Sequence, residues 1–232
     1  MSSFQNYLSI IIPCFNEDQI IEHTIKRVSR WCDNLELKYE ILIINNCSTD
    51  NTENIVQKLT TSNIFLFNEN QKGKGYAVRK GLQKCSYNNA LIIDADLSAD
   101  IDHFDTNWLN DYKKLILGSR ALGKEYQTPL IRTVYGKSLN LIIRSLFSVD
   151  FRDTQCGFKF LSSQNIKEVA EKIEFGGFIY DLNLILICKN YSYRIEEVPV
   201  EYIFNPNSSI SLIRDPFYML LDLIKLKRKF KN

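Results

Sequence analysis

Short apolar runs alternate with polar segments of helical periodicity through the first half of the chain. The runs are rich in isoleucine, leucine and phenylalanine, and they predict β-strands at residues 7–12, 39–44, 64–67 and 90–94. Apolar residues at helical spacing predict helices at residues 18–30 and 74–84, and the polar turn at 45–50 is suited to cap a further helix. Strands joined through helices require crossover connections. The pattern therefore predicts an α/β fold whose mainly parallel sheet is flanked by helices on both faces.

The pattern changes after residue 94. Residues 97–105 are polar and are expected to form a loop, whereas apolar segments predict strands at 115–117 and 193–204 and an extended segment at 153–160. Helical periodicity predicts helices at residues 132–147, 164–173, 179–189 and 216–230. Because no repeat, low-complexity tract or long linker interrupts the chain, we expect one domain over residues 1–212 and a basic amphipathic C-terminal helix within 213–232.

The composition excludes several classes of protein. Lysine and arginine total 29 against 27 acidic residues, a net charge of +2, and 45% of the residues are hydrophobic, as in a folded domain without the basic excess of nucleic-acid-binding proteins. The 2 histidines rule out a multi-histidine metal site, and no apolar run approaches the roughly 18 residues of a membrane-spanning helix. The 6 cysteines are dispersed without a C-x-x-C pair, and no secretory signal precedes Phe4. We therefore expect reduced thiols in a cytoplasmic protein.

Asp94 and Asp96 form the most specific chemical motif. They follow the apolar residues 91–93, and side chains at alternate positions of a strand point to the same side. The carboxyl end of a strand is the edge at which open α/β sheets bind ligands. Two carboxylates in an open setting suit Mg²⁺ or Mn²⁺, which also takes phosphate oxygens from a substrate. A solvated loop with two incidental acids is the alternative, and the position after the apolar run favours a metal–diphosphate site.

A glycine-rich turn, Lys72-Gly73-Lys74-Gly75, opens the helix predicted at 74–84. The turn is not a dinucleotide-binding fingerprint, because it follows the third strand and lacks the third glycine of that motif. It is not a P-loop either, because Gly-Lys is not followed by Ser or Thr. Free amides at such a turn can bind phosphate, with Lys74 and Arg79 adding charge, although a flexible helix entry is the alternative.

Polar residues also follow the first and second strands, at 13–17 and at Asn45-Asn46. Parallel strands end at the same edge of a sheet, so these residues and Asp94 are expected to converge there. A role as helix caps alone is the alternative for Asn16 and Asp18.

In order, the motifs resemble those of family 2 glycosyltransferases with the GT-A fold, which is Rossmann-like. They are I-I-P-C-F-N-E at 11–17, N-N-C-S-T-D at 45–50, K-G-K-G-Y-A-V-R-K-G at 72–81, D-A-D at 94–96 and G-S-R at 118–120. D-T-Q-C-G-F-K at 153–159 and the tail at 208–222 are similar to the dolichyl-phosphate glucosyltransferase branch, with polyprenyl-phosphate mannose synthases as looser relatives. The resemblance covers about residues 9–227.

The resemblance implies a site residue by residue. It assigns six residues to the nucleotide-sugar pocket: Pro13, Phe15, Glu17, Asn46, Lys74 and Asp94. It implies that Asp94 and Asp96 hold Mg²⁺ or Mn²⁺ on the donor diphosphate, and that four basic residues face the acceptor phosphate and leaving group: Arg120, Arg132, Lys159 and Arg214. The predicted catalytic residues are Asp94, Asp96, Arg120 and Asp153, the last of which, or Asp181, would act as base for a hydroxyl acceptor.

The sequence departs from the family pattern at four places. Asn45-Asn46-Cys47 stands where the family commonly has D-D-G, and Gln71 stands where an Asn is frequent. Ser209 takes the place of a usual Lys, and Asn183 takes the place of a Glu. Since an Asn amide both accepts and donates, the identity of the donor base stays open.

The expected activity is inverting transfer of a hexose from a nucleotide sugar, UDP-glucose, to a polyprenyl or dolichyl phosphate. A phosphate monoester, with a second pKa of about 6, is already largely dianionic near neutral pH and needs positioning rather than a base. One alternative is a family 2 enzyme acting on a saccharide acceptor in surface-glycan synthesis. Another is a catalytically silent nucleotide-sugar-binding or scaffold protein.

The acceptor implies contact with a membrane. The helix predicted at 216–230 carries apolar residues on one side and basic residues at its end, which suits the headgroup region, and the helix at 132–147 is a second candidate. Docking of the C-terminal helix on the domain is the alternative. We expect a protein peripheral to the cytoplasmic face of a membrane, with no nucleic acid among its partners.

Overall fold

One mixed sheet with helices on both faces makes up the core of the protein. The structure is a computed structural model that describes residues 6–123, 130–177, 179–202 and 215–230. The sheet contains β1 (Tyr7–Cys14), β2 (Lys38–Asn45), β3 (Ile64–Asn68), β4 (Asn89–Ile92), β5 (Lys114–Ser119), β6 (Lys159–Ser162) and β7 (Arg194–Pro199). Across the sheet the strands follow the order β3-β2-β1-β4-β6-β5-β7. Only β6, among the strands of the described residues, runs antiparallel to its neighbours. The predicted α/β fold with a mainly parallel sheet is confirmed.

The helices connect and cover these strands. They are α1 (Ile21–Asn34), α2 (Thr52–Leu59), α3 (Lys74–Lys84), α4 (Leu130–Phe147), α5 (Ile166–Glu171), α6 (Tyr180–Asn190) and α7 (Asp215–Lys229). Two short 3₁₀ helices, Ile101–His103 and Thr106–Asn110, lie between β4 and β5. The segment predicted as a loop at 97–105 therefore contains one turn of 3₁₀ helix.

The alternation of side chains along β1 separates two apolar layers. Ile10 and Ile12 are fully buried in the layer that includes α1, whereas Ile11 is fully buried in the layer that includes α3. Successive strand side chains point to opposite faces, so a continuous apolar run fits a strand that is covered on both sides. All 6 cysteines are free thiols, and five of them are buried in these layers or beside them.

The prediction at residues 153–160 was wrong in its extent. Only Lys159 to Ser162 is a strand, and it pairs with β4 and β5 in antiparallel register. Residues 153–158 approach the sheet as a loop. The partners in β4 lie about seventy positions away in the chain and those in β5 about forty-five, so local periodicity does not contain this pairing.

The C-terminal helix α7 docks on the domain through one face. Leu223 and Leu226 are 1% and 0% exposed and belong to an apolar cluster with Leu139 and Ile143 of α4 and Leu182 of α6. Leu221 and Ile224 stay 40% and 45% exposed. The helix therefore has a docked face and an open apolar face. In the part of the chain that the structure describes, no helix is long and apolar enough to cross a bilayer.

Candidate active site

The carboxyl ends of the parallel strands bring most of the predicted site residues to one edge of the sheet. The residues that follow β1, β2, β4 and β5 there are Phe15 and Glu17, Asn46, Asp94 and Asp96, and Arg120. Because β6 is antiparallel, its first residue, Lys159, lies at this same edge, in register with Ile92 of β4 and Leu117 of β5. Residues from five strands therefore meet at one place.

Asp94 and Asp96 lie in a tight turn just beyond β4. The strand ends at Ile92, and the carbonyl of Asp94 accepts a hydrogen bond from the backbone N–H of Leu97 at 3.0 Å. One carboxylate oxygen of Asp96 accepts from the backbone N–H of Ser98 at 3.0 Å. The sequence argument from strand alternation does not apply here, because the turn, not a strand, sets the two directions. Asp96 is exposed, and the side chain of Asp94 is 36% exposed.

The glycine-rich turn places the ammonium of Lys74 beside this acidic turn. The ammonium of Lys74, the first residue of α3, forms an ion pair with the carboxylate of Asp94. Burial raises the pKa of Asp94, but the charges of Lys74, Lys159 and Arg120 outweigh it and hold that pKa below its usual value. Asp94 is therefore an anion that is paired with Lys74 and further stabilised by the charges of Lys159 and Arg120.

Glycine is required where the turn meets residues 175–180. Gly73 has φ of +141°, a conformation that side chains with a Cβ rarely adopt, and its Cβ would lie 2.5 Å from the carbonyl oxygen of Gly176. The N–H of Gly75 donates to that same oxygen at 2.9 Å. This close contact fixes the start of α3, and with it Lys74, against the segment that leads into α6.

Glu17 completes a crowded group of acids. Burial, followed by the charges of Asp96, Asp94 and Asp50, raises the pKa of Glu17 to about 7. Negative charge at this edge is therefore only partly compensated next to Glu17, and a divalent cation would relieve it. The described residues contain no cluster of three or more His, Cys, Asp or Glu side chains arranged around a metal position. Two carboxylates still fit Mg²⁺ or Mn²⁺, since these ions commonly take their remaining ligands from water and substrate phosphate.

Asn46 uses its whole amide to hold the loop before α3. Its Nδ2 donates to the carbonyls of Glu69 at 3.2 Å and Gln71 at 2.7 Å, while its Oδ1 accepts from the N–H of Gly73 at 2.7 Å. The side chain is 4% exposed. Contact of Asn46 with a nucleotide base stays a prediction, and the observed role is to shape the loop that carries Lys74.

Arg120 is held by Asp153 through two parallel bonds. The guanidinium Nε and Nη2 lie 2.6 and 2.9 Å from the two carboxylate oxygens, and the Arg120 N–H donates to the same carboxylate at 3.1 Å. Burial raises the pKa of Asp153, but the hydrogen bonds and charge of Arg120 hold it below its usual value. Such a carboxylate is a weak base, so the geometry favours a role in orienting Arg120.

Lys159 lies inside the protein. Its side chain is 1% exposed, and its ammonium lies 2.5 Å from a carboxylate oxygen of Asp181 and donates to the carbonyl of Cys156 at 2.5 Å. The predicted contact with the acceptor remains untested, whereas the observed contacts tie β6 to the first turn of α6.

The other predicted residues have simpler surroundings. Pro13 lies within β1, and the ring of Phe15, 36% exposed, has the Lys72 ammonium 4.5 Å from its centroid. Arg132 lies in α4 with its side chain outside the described part of the chain, and Arg214 lies outside the described residues altogether. Asn183, one of the departures from the family pattern, is fully buried and accepts from the Glu174 N–H at 3.1 Å.

Sequence reasoning missed Glu197. Both of its carboxylate oxygens accept from the backbone N–H of Arg152, at 2.8 and 2.9 Å, and one also accepts from the N–H of Asp153 at 2.7 Å. It is one acid of the pair Glu196-Glu197 on β7, and nothing local in the sequence distinguishes the two.

The fold is that of the GT-A glycosyltransferases. The glycosyl transferase family 2 model matches residues 9–107, which span β1 to the second 3₁₀ helix and include Glu17, Lys74, Asp94 and Asp96. This part of the chain is similar to glycosyl transferase family 2.

Relatives and solved structures extend this similarity over nearly the whole chain. A dolichyl-phosphate beta-glucosyltransferase of Trichomonas vaginalis is 28% identical over 96% of this chain and 73% of its own length. Glucosyl-3-phosphoglycerate synthase of Mycobacterium tuberculosis, solved with UDP, superimposes with a TM-score of 0.67 at 17% identity, covering 97% of this chain and 79% of that one. The same enzyme with Mn²⁺, UDP-glucose and phosphoglyceric acid gives a TM-score of 0.62 at 17% identity, over 97% and 76% of the two chains. The resemblance to the dolichyl-phosphate branch is confirmed by the first of these.

Proposed function

We propose that the protein transfers a hexose, with inversion, from UDP-glucose to a polyprenyl or dolichyl phosphate at the cytoplasmic face of a membrane. Support comes from the relative named a dolichyl-phosphate beta-glucosyltransferase, which matches 96% of the chain. The segment Asp153 to Lys159 adds support because it supplies two of the charged groups at the carboxyl edge.

The donor would bind at the acidic turn. Asp94 and Asp96 would hold Mg²⁺ or Mn²⁺, and Lys74 would lie beside the diphosphate with the neighbouring Glu17 and Phe15 lining the nucleotide pocket. A bound divalent cation would supply electrostatic stabilisation of the nucleoside diphosphate as it leaves. The ion pair between Lys74 and Asp94 keeps a cation beside the position where the diphosphate would bind.

The observation that carries the choice of acceptor is the fixed guanidinium of Arg120. Asp153 occupies the edge formed by Nε and Nη2, so the second edge, formed by Nη1 and Nη2, is the one that a phosphate would engage. Because Asp153 is an ion-paired carboxylate with a lowered pKa, it suits an acceptor that needs no general base. A phosphate monoester meets that condition at neutral pH, whereas a sugar hydroxyl does not.

A membrane surface is the proposed partner for the open apolar faces of α4 and α7. Leu141 and Ile142 of α4 are 68% and 44% exposed, and Leu221 and Ile224 of α7 are 40% and 45% exposed. Basic residues follow on α7 at Lys225, Lys227 and Arg228. Apolar side chains flanked by lysine and arginine suit the boundary of anionic headgroups and acyl chains.

The test is to incubate the protein with labelled UDP-glucose, Mn²⁺ and polyprenyl phosphate and then extract the lipids. Acid-labile label in the lipid fraction is the expected result. Label on a saccharide acceptor, added in a parallel reaction, would replace the proposal with the glycan-synthesis alternative. Donor binding without turnover on either acceptor would favour a silent nucleotide-sugar-binding protein.

A further inference from the structure

Glu197 binds the backbone immediately before the Asp153 side chain. Its three hydrogen bonds, at 2.7, 2.8 and 2.9 Å, use both carboxylate oxygens and two consecutive N–H groups, those of Arg152 and Asp153. Residues 150–158 form no regular element, and the Asp153 carboxylate also accepts from the backbone N–H groups of Gln155 at 3.2 Å and Arg120 at 3.1 Å. A carboxylate that accepts hydrogen bonds from two adjacent backbone N–H groups fixes the position and direction of such a loop.

The strands set the position of this anchor. Strand β7 runs parallel to β5 with Glu197 in register with Leu117, and β5 ends two residues later, just before Arg120. Asp153, anchored by Glu197, then holds the Nε and Nη2 of Arg120. The Glu197 side chain on β7 therefore holds the backbone of the loop, and the Asp153 side chain of that loop holds the Arg120 guanidinium.

The chain beyond β7 approaches the same guanidinium from another side. The centroid of the Tyr202 ring lies 5.2 Å from the Arg120 Cζ, within the range of a cation–π contact. The Arg120 guanidinium is thus restrained by the carboxylate of Asp153 and by its cation–π contact with the Tyr202 ring.

We propose that Glu197 is a positioning residue that acts through Asp153 to orient Arg120 toward the acceptor phosphate. The inference rests on the proposed function, because the phosphate it concerns is that of the lipid acceptor. Glu197 itself touches neither substrate; it fixes the loop that fixes the arginine. Small displacements of a bidentate group weaken phosphate binding without affecting a donor held at Asp94 and Asp96.

Glu196 is a matched control on the same strand. It is the preceding residue and points the other way, with ion pairs to Lys114 at 3.2 Å and Arg194 at 2.8 Å. It carries the same side chain as Glu197, but it forms these two ion pairs and bonds to neither Arg152 nor Asp153.

The kinetic test compares Glu197→Ala, Glu197→Gln and Glu196→Ala. We expect Glu197→Ala to raise KM for polyprenyl phosphate about tenfold or more while the KM for UDP-glucose changes less than about twofold. Glu197→Gln keeps an acceptor oxygen for the two amides, so its KM should lie between those of wild type and Glu197→Ala; this variant decides the result if the alanine variant does not fold. Glu196→Ala should leave both KM values unchanged. An equal rise in both KM values, or no change in either, would overturn the inference.

A spectroscopic test needs no acceptor and so separates this inference from the proposed function. The Nε–H of Arg120 donates to Asp153 and should give a shifted, slowly exchanging arginine resonance, assigned by its loss in Arg120→Lys. In Glu197→Gln that resonance should move and exchange faster, and in Glu196→Gln it should not. An unchanged resonance in Glu197→Gln refutes the positioning role even if lipid glucosylation is found. Absence of turnover in wild type refutes the proposed function alone.

Discussion

The ammonium of Lys159 lies 2.5 Å from the carboxylate of Asp181, and the two side chains are 1% and 7% exposed. The pair joins the first residue of β6 to the first turn of α6 in the interior, directly behind the acidic turn. Burying two charges is costly, and their attraction offsets that cost only while both are present.

Removing one partner of this pair should therefore lower the stability of the protein strongly. We expect Lys159→Met and Asp181→Asn each to lower the free energy of unfolding by about 3–5 kcal/mol, because each leaves one buried group uncompensated. The double variant should lose less than the sum of the single losses, by about 0.5–3 kcal/mol. Urea unfolding followed by circular dichroism measures all three values.

The same variants distinguish a structural from an acceptor-binding role for Lys159. If Lys159 only supports the fold, turnover per folded molecule in the double variant should equal that of Asp181→Asn, whereas a contact between Lys159 and the acceptor would make it lower. Strictly additive losses in stability would show that the two groups do not interact as the structure indicates.

Gly75→Ala should destabilise the contact between the glycine-rich turn and the entry to α6. A Cβ at Gly75 would lie 2.2 Å from the Phe175 carbonyl oxygen and 2.4 Å from the Tyr180 Cβ. Overpacking of this kind costs about 1–3 kcal/mol, and each kcal/mol lowers Tm by about 2–4 °C in a chain of this size. Gly177→Ala is the control, since its Cβ would meet its nearest neighbour, Asp222, at 3.7 Å. Equal Tm values for the two variants would contradict the geometry.

The raised pKa of Glu17 predicts a stability that depends on pH. The pKa of Glu17 is about 7 in the native state and 4.5 for an ordinary glutamate, so the folded protein binds more protons than the unfolded chain between these two pH values. Stability should therefore fall as pH rises from about 4.5 to 7.

Replacing Glu17 reveals this effect. Glu17→Gln should raise Tm relative to wild type at pH 8 and change it little at pH 5, because the neutral amide avoids the repulsion from Asp96 and Asp94. Thermal unfolding at the two pH values, without metal or nucleotide, makes the comparison. A Tm difference that is the same at both pH values would show that Glu17 is not the titrating group.

The exposed apolar residues of α4 and α7 predict binding to anionic vesicles. The double variant Leu141→Asp, Ile224→Asp removes two apolar side chains that are 68% and 45% exposed. For each side chain that enters the lipid, the free energy of membrane binding becomes less favourable by about 1.5–3 kcal/mol. Sedimentation with vesicles containing phosphatidylserine should show binding of wild type and little of the variant. Tyr112→Asp, at a residue 63% exposed before β5, is the control and should sediment like wild type. Equal sedimentation of the double variant and wild type would exclude these faces as the contact.

Local patterns in the sequence predict the parallel half of the sheet well. Strands β1 to β3 appear within one or two residues of their predicted positions, because runs such as Ile10 to Ile12 are apolar at every position and suit burial on both faces. The antiparallel β6 is different, since its neighbours in the sheet are distant in the chain and no periodicity encodes that pairing. The segment before it looked extended but is a loop.

The site residues also divide into those that local motifs predict and those that depend on distant partners. Asp94, Asp96 and Lys74 were predicted because their motifs are local and lie at a strand end or helix start. The hydrogen bonds of Asn46 were not predicted, since an amide can face a ligand or a loop equally well and only the fold decides. The burial of Lys159 also depends on a partner, Asp181, in a different element.

Metal-dependent nucleotide binding tests the central claim most directly. Calorimetric titration of wild type with UDP should give a Kd about tenfold or more lower in Mn²⁺ than in EDTA, and Asp96→Asn should remove that difference. Asp102→Asn, which alters an acid 68% exposed on the first 3₁₀ helix, should retain it. Loss of the Mn²⁺ effect in Asp96→Asn alone is the predicted result, whereas equal Kd values for wild type with and without Mn²⁺ would contradict the account.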